Sequence, residues 1–280
     1  LLFAGSLLAA TALAAGTKYV TTAESFPPLA TVSPVAECTG GRSVSAGGST
    51  VNESGTQTLG QRPVDGADAN DKPGDVFEAR VRISGFGDLV TVHAVCTDDG
   101  QKVKTKKVIV DPEGTGCDAA PVSDVCTASR IPLCPKGTRV TGGGAFLESA
   151  NGRIRASGPA DGPDGDAAHD DGWLGAVNVQ VPDVGSEQVT VYAICSKSPK
   201  GLKYVSESTI DGAPVSVECP AAHKVVGGGS SIESNGESTY VADSIPVDTD
   251  DANSKPDNGW GISAVGALGE TVVVHAICRG

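Results

Sequence analysis

Methionine is absent from this 280-residue chain, and Phe, Trp and Tyr together supply only 4% of it. With so few aromatics, a core has to be assembled from Val, Ile, Ala and Leu, within an ordinary hydrophobic content of 39%. Helical periodicity is missing after residue 16. The 37 Gly and 17 Pro suit many short strands and turns instead. Basic stripes are missing as well. The 21 Lys and Arg stand against 34 Asp and Glu, a net charge of −13. Nothing can neutralise a row of phosphates, so neither nucleic acid nor an anionic membrane surface is an expected partner. There is no Gly-x-Ser-x-Gly elbow, no His-Glu-x-x-His helix and no nucleophile with a base in reach. The chain therefore reads as non-enzymatic. The alternative is an extracellular polymer hydrolase drawing its carboxylates from one acidic loop.

Long apolar runs are limited to the first sixteen residues, LLFAGSLLAATALAAG. This run is short for a bilayer span and ends in Ala12-Leu13-Ala14, which suits a signal-peptidase site, so residues 1–16 are read as a signal-peptide remnant. Neither Met nor a basic segment precedes it, and the native start is expected upstream. After signal removal no membrane insertion is expected, and the protein is placed outside the cell or at its surface.

Against these absences stands a threefold repetition. LVTVHAVC ending at Cys96, QVTVYAIC ending at Cys195 and TVVVHAIC ending at Cys278 are the same strand three times. Val90, Val92 and Ala94, then Val189, Val191 and Ala193, then Val272, Val274 and Ala276 alternate with period two, which puts them with the cysteine on one core-facing side. A second cysteine lies about 60 residues upstream of each, at Cys38, Cys134 and Cys219. Three disulfides are expected, Cys38 to Cys96, Cys134 to Cys195 and Cys219 to Cys278, with Cys117 and Cys126 forming a fourth local pair. Zinc is the alternative for these cysteines, but their spacing and the lack of a His cluster do not support it.

Each first cysteine is followed by Val44, Val140 or Val225 and then by a small-residue triplet, Ala46-Gly47-Gly48, Gly142-Gly143-Gly144 or Gly227-Gly228-Gly229. The triplets lack the Lys and the helix of a phosphate loop and read as a bulged strand, or one crossed closely by another backbone. Next come Ser54-Gly55, Asn151-Gly152 and Asn235-Gly236, which predict β-hairpins. Returning strands, acidic loops and Gly172-Trp173 or Gly259-Trp260 complete the unit. Candidate strands at Lys18-Tyr19-Val20, Val103 to Val110 and Lys203-Tyr204-Val205 open the copies. This divides the chain into β modules at 17–100, 101–200 and 201–280.

The predicted fold is all-β: three homologous antiparallel modules in pseudo-threefold, β-prism-like packing, because one Trp or Phe per module leaves a lone domain of this size a thin core. Three tandem small β-sandwiches are the alternative. An immunoglobulin assignment fits poorly, since Trp173 falls 39 residues after Cys134. The run Cys134-Pro135-x-Gly137-x-x-Val140-x-Gly142-Gly143-Gly144, with Gly172-Trp173 and the Val-Tyr-Ala-Ile-Cys strand downstream, resembles modules of uncharacterised secreted and fibre-like bacterial proteins. That resemblance covers nearly all of residues 101–280 and implies an extracellular β-module with no established activity. The vitelline-membrane-outer-layer and jacalin-like lectin prisms are architectural analogies only.

Two sets of residues are candidates for function. Asp65, Asp68, Asp161, Asp164, Asp166, Asp248 and Asp250 lie in corresponding acidic loops, where carboxylate and carbonyl oxygens could hold Ca²⁺, although the same residues make ordinary turns. Trp173 and Trp260 follow those loops and could stack on a sugar, or plug the module core. His93 and His275 share a strand slot with Tyr192 and read as half-buried contacts. The expected function is a non-catalytic binding or adhesion protein for an extracellular glycan or surface polymer, the alternative being a structural envelope or fibre component.

Overall fold

The computed structural model describes residues 16–52, 55–66, 74–85, 88–98, 101–110, 125–148, 152–163, 166, 168–180, 187–197, 200–233, 239–249, 255, 257–266 and 269–280. Its elements are strands, and no helix occurs among the described residues. The first module supplies β1 (Lys18–Phe26), β2 (Thr31–Val32), β3 (Val35–Glu37), β4 (Ser43–Val51), β5 (Gln57–Val64), β6 (Val76–Arg82) and β7 (Asp88–Thr97). The second supplies β8 (Gln101–Val110), β9 (Val125–Arg130), β10 (Arg139–Leu147), β11 (Gly152–Ala160), β12 (Gly172–Gln180) and β13 (Glu187–Ser196). The third supplies β14 (Leu202–Ile210), β15 (Val215–Glu218), β16 (Lys224–Glu233), β17 (Tyr240–Val247), β18 (Gly259–Val265) and β19 (Thr271–Arg279).

Every sheet is shared by two modules. The first runs β1-β7-β4-β17-β18-β15, the second β2-β6-β5-β10-β13-β8 with β3 also on β6, and the third β14-β19-β16-β11-β12-β9. All pairs are antiparallel. Each module gives three strands to one sheet and the rest to the next, and the exchange closes in a ring. Tandem sandwiches are thereby excluded, because no module owns a complete sheet.

This exchange corrects the hairpin expectation. β4 pairs with β7 and β17, not with β5, and the same holds for β10 with β11 and for β16 with β17. The strand that follows lies in a different sheet, and Ser54, Asn151, Asn235 and Gly236 lie outside the described residues. Asn-Gly chemistry encodes the reversal and is silent on which strand becomes the neighbour. Neighbours are set by the triplets, whose three positions do different work. A Cβ at Gly142 or Gly227, the first position, would come closer than 3.0 Å to the Ser45 or Thr141 carbonyl oxygen of the preceding module. At the middle position, Gly47, Gly143 and Gly228 would meet Phe77, Trp173 and Trp260 just as closely. At the third, Gly48, Gly144 and Gly229 would collide with the Ser244, Gln61 and Ser157 carbonyl oxygens across the seam between modules. Small residues here let three backbones crowd around the axis while leaving room for one aromatic ring each. A bulge at Ser45, Thr141 and Val226 accompanies the crowding.

The cores follow from the period-two pattern. Val90, Val92, Ala94 and Cys96 face the first module's own interior, with the equivalent residues of β13 and β19 in theirs. The residue just before each terminal cysteine points the other way. Val95 packs into the third module's core, Ile194 into the first and Ile277 into the second. Tyr19 and Tyr204 add to the interlock, each donating its hydroxyl hydrogen at 2.7 Å to a carbonyl of another module, Val225 and Val140. Burial pushes both phenols well above the ordinary tyrosine value.

Three of the expected disulfides are present, Cys38–Cys96, Cys134–Cys195 and Cys219–Cys278, with Cα–Cα distances of 5.7, 5.7 and 5.6 Å. Each closes a loop of roughly 60 residues, worth on the order of 4 kcal/mol in the chain-entropy account. Cys126 is disulfide-bonded, while Cys117 lies outside the described residues, as does the apolar run 1–15.

Candidate functional site

The tryptophans are core residues. Trp173 is 2% and Trp260 0% exposed, each under a triplet glycine, and their Nε1 atoms donate to Ser157 Oγ at 3.1 Å and Ser244 Oγ at 3.0 Å. A ring with no free face cannot stack on a sugar, so the expectation that Trp173 and Trp260 bind ligand is corrected. Phe77 fills the same place in the first module, where Gln61 replaces the serine and donates to Ser49 Oγ at 2.8 Å.

The acidic loops are tied at their ends by repeated contacts. Asp75, Asp171 and Asn258 each accept a hydrogen bond from the loop's first residues, Gly66 N at 2.7 Å, Gly162 N at 3.2 Å and Thr249 N at 2.7 Å. Asp170 pairs with Arg139 and Asp257 with Lys224, both carboxylates being almost wholly buried. The first module has Gly74 and Ser43 in those places, so partner and carboxylate are lost together. Asp65, Asp166 and Asp248 are exposed, and Asp166 Oδ1 accepts from Ala168 N at 2.8 Å in a local turn. Asp68, Asp164 and Asp250 lie outside the described residues. Among the described residues no group of three or more His, Cys, Asp or Glu is placed to hold a metal ion.

The three sheet seams differ in what covers them on the outside. In the second sheet Phe146 of β10 lies opposite Gly60 of β5. Arg62 covers its ring at 3.7 Å from the centroid, Arg80 lies at 5.8 Å, and Arg62 Nε donates to Glu78 at 2.9 Å. That seam is filled. In the first sheet the position of Gly60 is taken by Asp243, which accepts from Val51 N at 3.0 Å and from Ser263 Oγ at 2.5 Å. In the third sheet the place of Phe146 is taken by Ser231, that of Gly60 by Ala156, that of Arg62 by Gly158 and that of Glu78 by Leu174. Small side chains leave the third seam as a groove of about 490 Å³.

Chemistry is concentrated on the walls of this groove. Arg155 stands on the β11 bulge, where the other modules have the buried Leu59 and Ala242. Burial lowers the pKa of its guanidinium, and nearby Glu270 partly offsets that. Asp161 and His169 come from the second module's acidic loop and Glu233 from the end of β16. Asp161 Oδ1 is buried and has no hydrogen-bond partner among the described residues. His275 closes the groove from β19, its ring centroid 5.5 Å from that of His169. Burial, with the charge of His169 second, pushes the pKa of His275 down to about 4. Hydroxyls of Thr127 and Ser129 line the β9 side.

Of the acidic-loop candidates, only Asp161 among the described ones lines this groove. Arg155, Ser231 and Glu233 were not legible as site residues. Their signal was present only as departures between copies: Thr50, Phe146 and Ser231 occupy one repeat position, and Arg62, Gly158 and Ile245 another. Neither a scan against protein-family models nor a search of curated proteins finds a match.

Proposed function

We propose that the protein is an extracellular, non-catalytic binding or adhesion protein whose ligand, a glycan or surface polymer, lies along the third-sheet groove. The observation that carries this reading is the contrast between seams. The same repeat position is plugged by an aromatic and two guanidinium groups in one sheet and left open in another, with donors and acceptors converging on the opening. Concave sites with a few convergent polar groups on a rigid frame are where ligands are held. Three intramolecular disulfides, typical of extracellular proteins, and the apolar opening run support export.

The test is a glycan array and cell-wall polymer pull-down with the native protein and Ser231→Phe, which copies the second sheet's filling. Binding by the native protein that disappears in Ser231→Phe at unchanged melting temperature is expected. Background signal throughout would count decisively against the reading. A structural envelope role, favoured by the closed ring of exchanged strands, would show as co-extraction with the envelope fraction.

A further inference from the structure

A groove wall that is fully satisfied by the protein has no use for a ligand, and the informative group here is His275. It is only 9% exposed, yet it lines the groove, and neither ring nitrogen has a hydrogen-bond partner among the described residues. Its two repeat equivalents are engaged. His93 Nδ1 shares a hydrogen bond with Thr21 Oγ1 at 3.2 Å, and Tyr192 interacts with Arg62. The strand partner of His275 is Ser206, in the place of Thr21, and it makes no such bond. Gly158 leaves the imidazole's Cδ2 edge room, since a Cβ there would rest 3.5 Å from it.

An imidazole kept neutral by burial carries one N–H donor and one bare nitrogen acceptor. Its complement is a group that both donates and accepts, which is what a hydroxyl does. Arg155 brings donors alone, and the carboxyl oxygens of Asp161 and Glu233 bring acceptors, so two neighbouring hydroxyls would find both kinds of partner. Charge narrows the class further. Asp161 and Glu233 stand on the walls, Glu270 acts on Arg155, and the whole chain carries −13, so an anionic polymer would be disfavoured. Resting on the reading of this groove as the binding site, we propose that its ligand is a neutral glycan presenting vicinal hydroxyls, and that His275 is the residue that selects it.

Calorimetric titration with four hexasaccharides tests this: a neutral gluco-oligomer, a neutral manno-oligomer, an oligogalacturonate and a chitosan oligomer. NMR of the imidazole resonances follows His275 directly. At least one neutral oligomer is expected to bind and shift the His275 signals. His275→Tyr, a residue the second sheet already tolerates at this position, should weaken binding at least tenfold without lowering the melting temperature. His275→Gln, which keeps a donor and an acceptor, should retain most of it. Binding confined to the galacturonate or the chitosan oligomer, yet abolished by Ser231→Phe, would overturn the neutral-glycan inference and leave the groove as the site. Neutral binding that His275→Tyr leaves unchanged would overturn the role of His275. Failure of all four oligomers and of every array polymer would overturn the proposed function as well.

Discussion

The second-sheet and third-sheet seams are built from the same repeat, with the same register and the same third triplet glycine pressed against a neighbouring carbonyl. Among the side chains that differ, four set the contrast in cover. Phe146, Gly60, Arg62 and Glu78 form a packed, ion-paired cover, whereas Ser231, Ala156, Gly158 and Leu174 leave an opening. The comparison separates two jobs that a repeat position can have. Closure of the ring depends on the third triplet glycine, which is the same in all three modules, while the outer cover varies, and in the third sheet that variation leaves a groove.

Breaking closure should have the largest effect and should not distinguish the seams. Gly229→Ala and Gly144→Ala each drive a methyl into a backbone oxygen across the seam, Ser157 O or Gln61 O. Each is expected to cost more than about 4 kcal/mol, enough to prevent folding of a marginal protein. A urea midpoint within 0.5 M of the native one, roughly 1 kcal/mol by ordinary denaturant slopes, would refute the glycine argument.

Phe146→Ser should open the second seam in the image of the third. Phe146 is 2% exposed, so removing its ring is expected to cost about 3–4 kcal/mol. A crystal structure should show a new groove beside Arg62. If Arg62 and Arg80 instead collapse into the space and the loss is under about 1 kcal/mol, the aromatic is not what fills this seam.

Acid should act on the third seam more than the second. The folded-state pKa of His275 is about 4 against an ordinary 6.5, and burial depresses His93 likewise. Between those values the unfolded chain binds more protons than the folded one, so stability falls as pH drops. The contribution is present above pH 6.5 and gone by pH 4, up to about 3 kcal/mol for each group. Besides His169, the charged groups lining the groove with His275 are Arg155, Asp161 and Glu233. A phenol takes up no proton between pH 7 and pH 4.5, so His275→Tyr should remove about half of the histidine contribution. Denaturant unfolding at pH 7 and pH 4.5 measures this, and an unchanged difference between the two pH values would contradict it.

The smallest effect is expected beneath the seams. Trp260→Phe copies Phe77 of the first module but leaves Ser244 Oγ without the indole donor, and the loss should be about 1–2 kcal/mol. Adding Ser244→Gln, after Gln61, should recover part of it. A double variant no more stable than the single one would show that the first module's Phe and Gln are not a matched pair.

Much of the fold was legible because its signals are local. Alternation before Cys96, Cys195 and Cys278 identifies core strands from a few residues, and even spacing of cysteines identifies the bridges. Trp173 and Trp260 were ambiguous because the sequence places them beside acidic loops, while only packing reveals the triplet glycines above their rings. The exchange of strands left no local trace: Asn151-Gly152 reads as the same turn whether β11 returns to β10 or crosses to β16. The groove was still less visible, since Ser231 and Ala156 are 75 residues apart and meet only through that exchange.

By itself, then, the sequence determined that this is an all-β chain of three disulfide-closed copies, because period-two alternation and repetition are properties of neighbouring residues. Tertiary structure alone decided that the copies share their sheets, that the tryptophans are buried and that the third seam is open where the second is filled. Those outcomes depend on which backbone comes to lie against each glycine, and that is settled by the packing of distant strands.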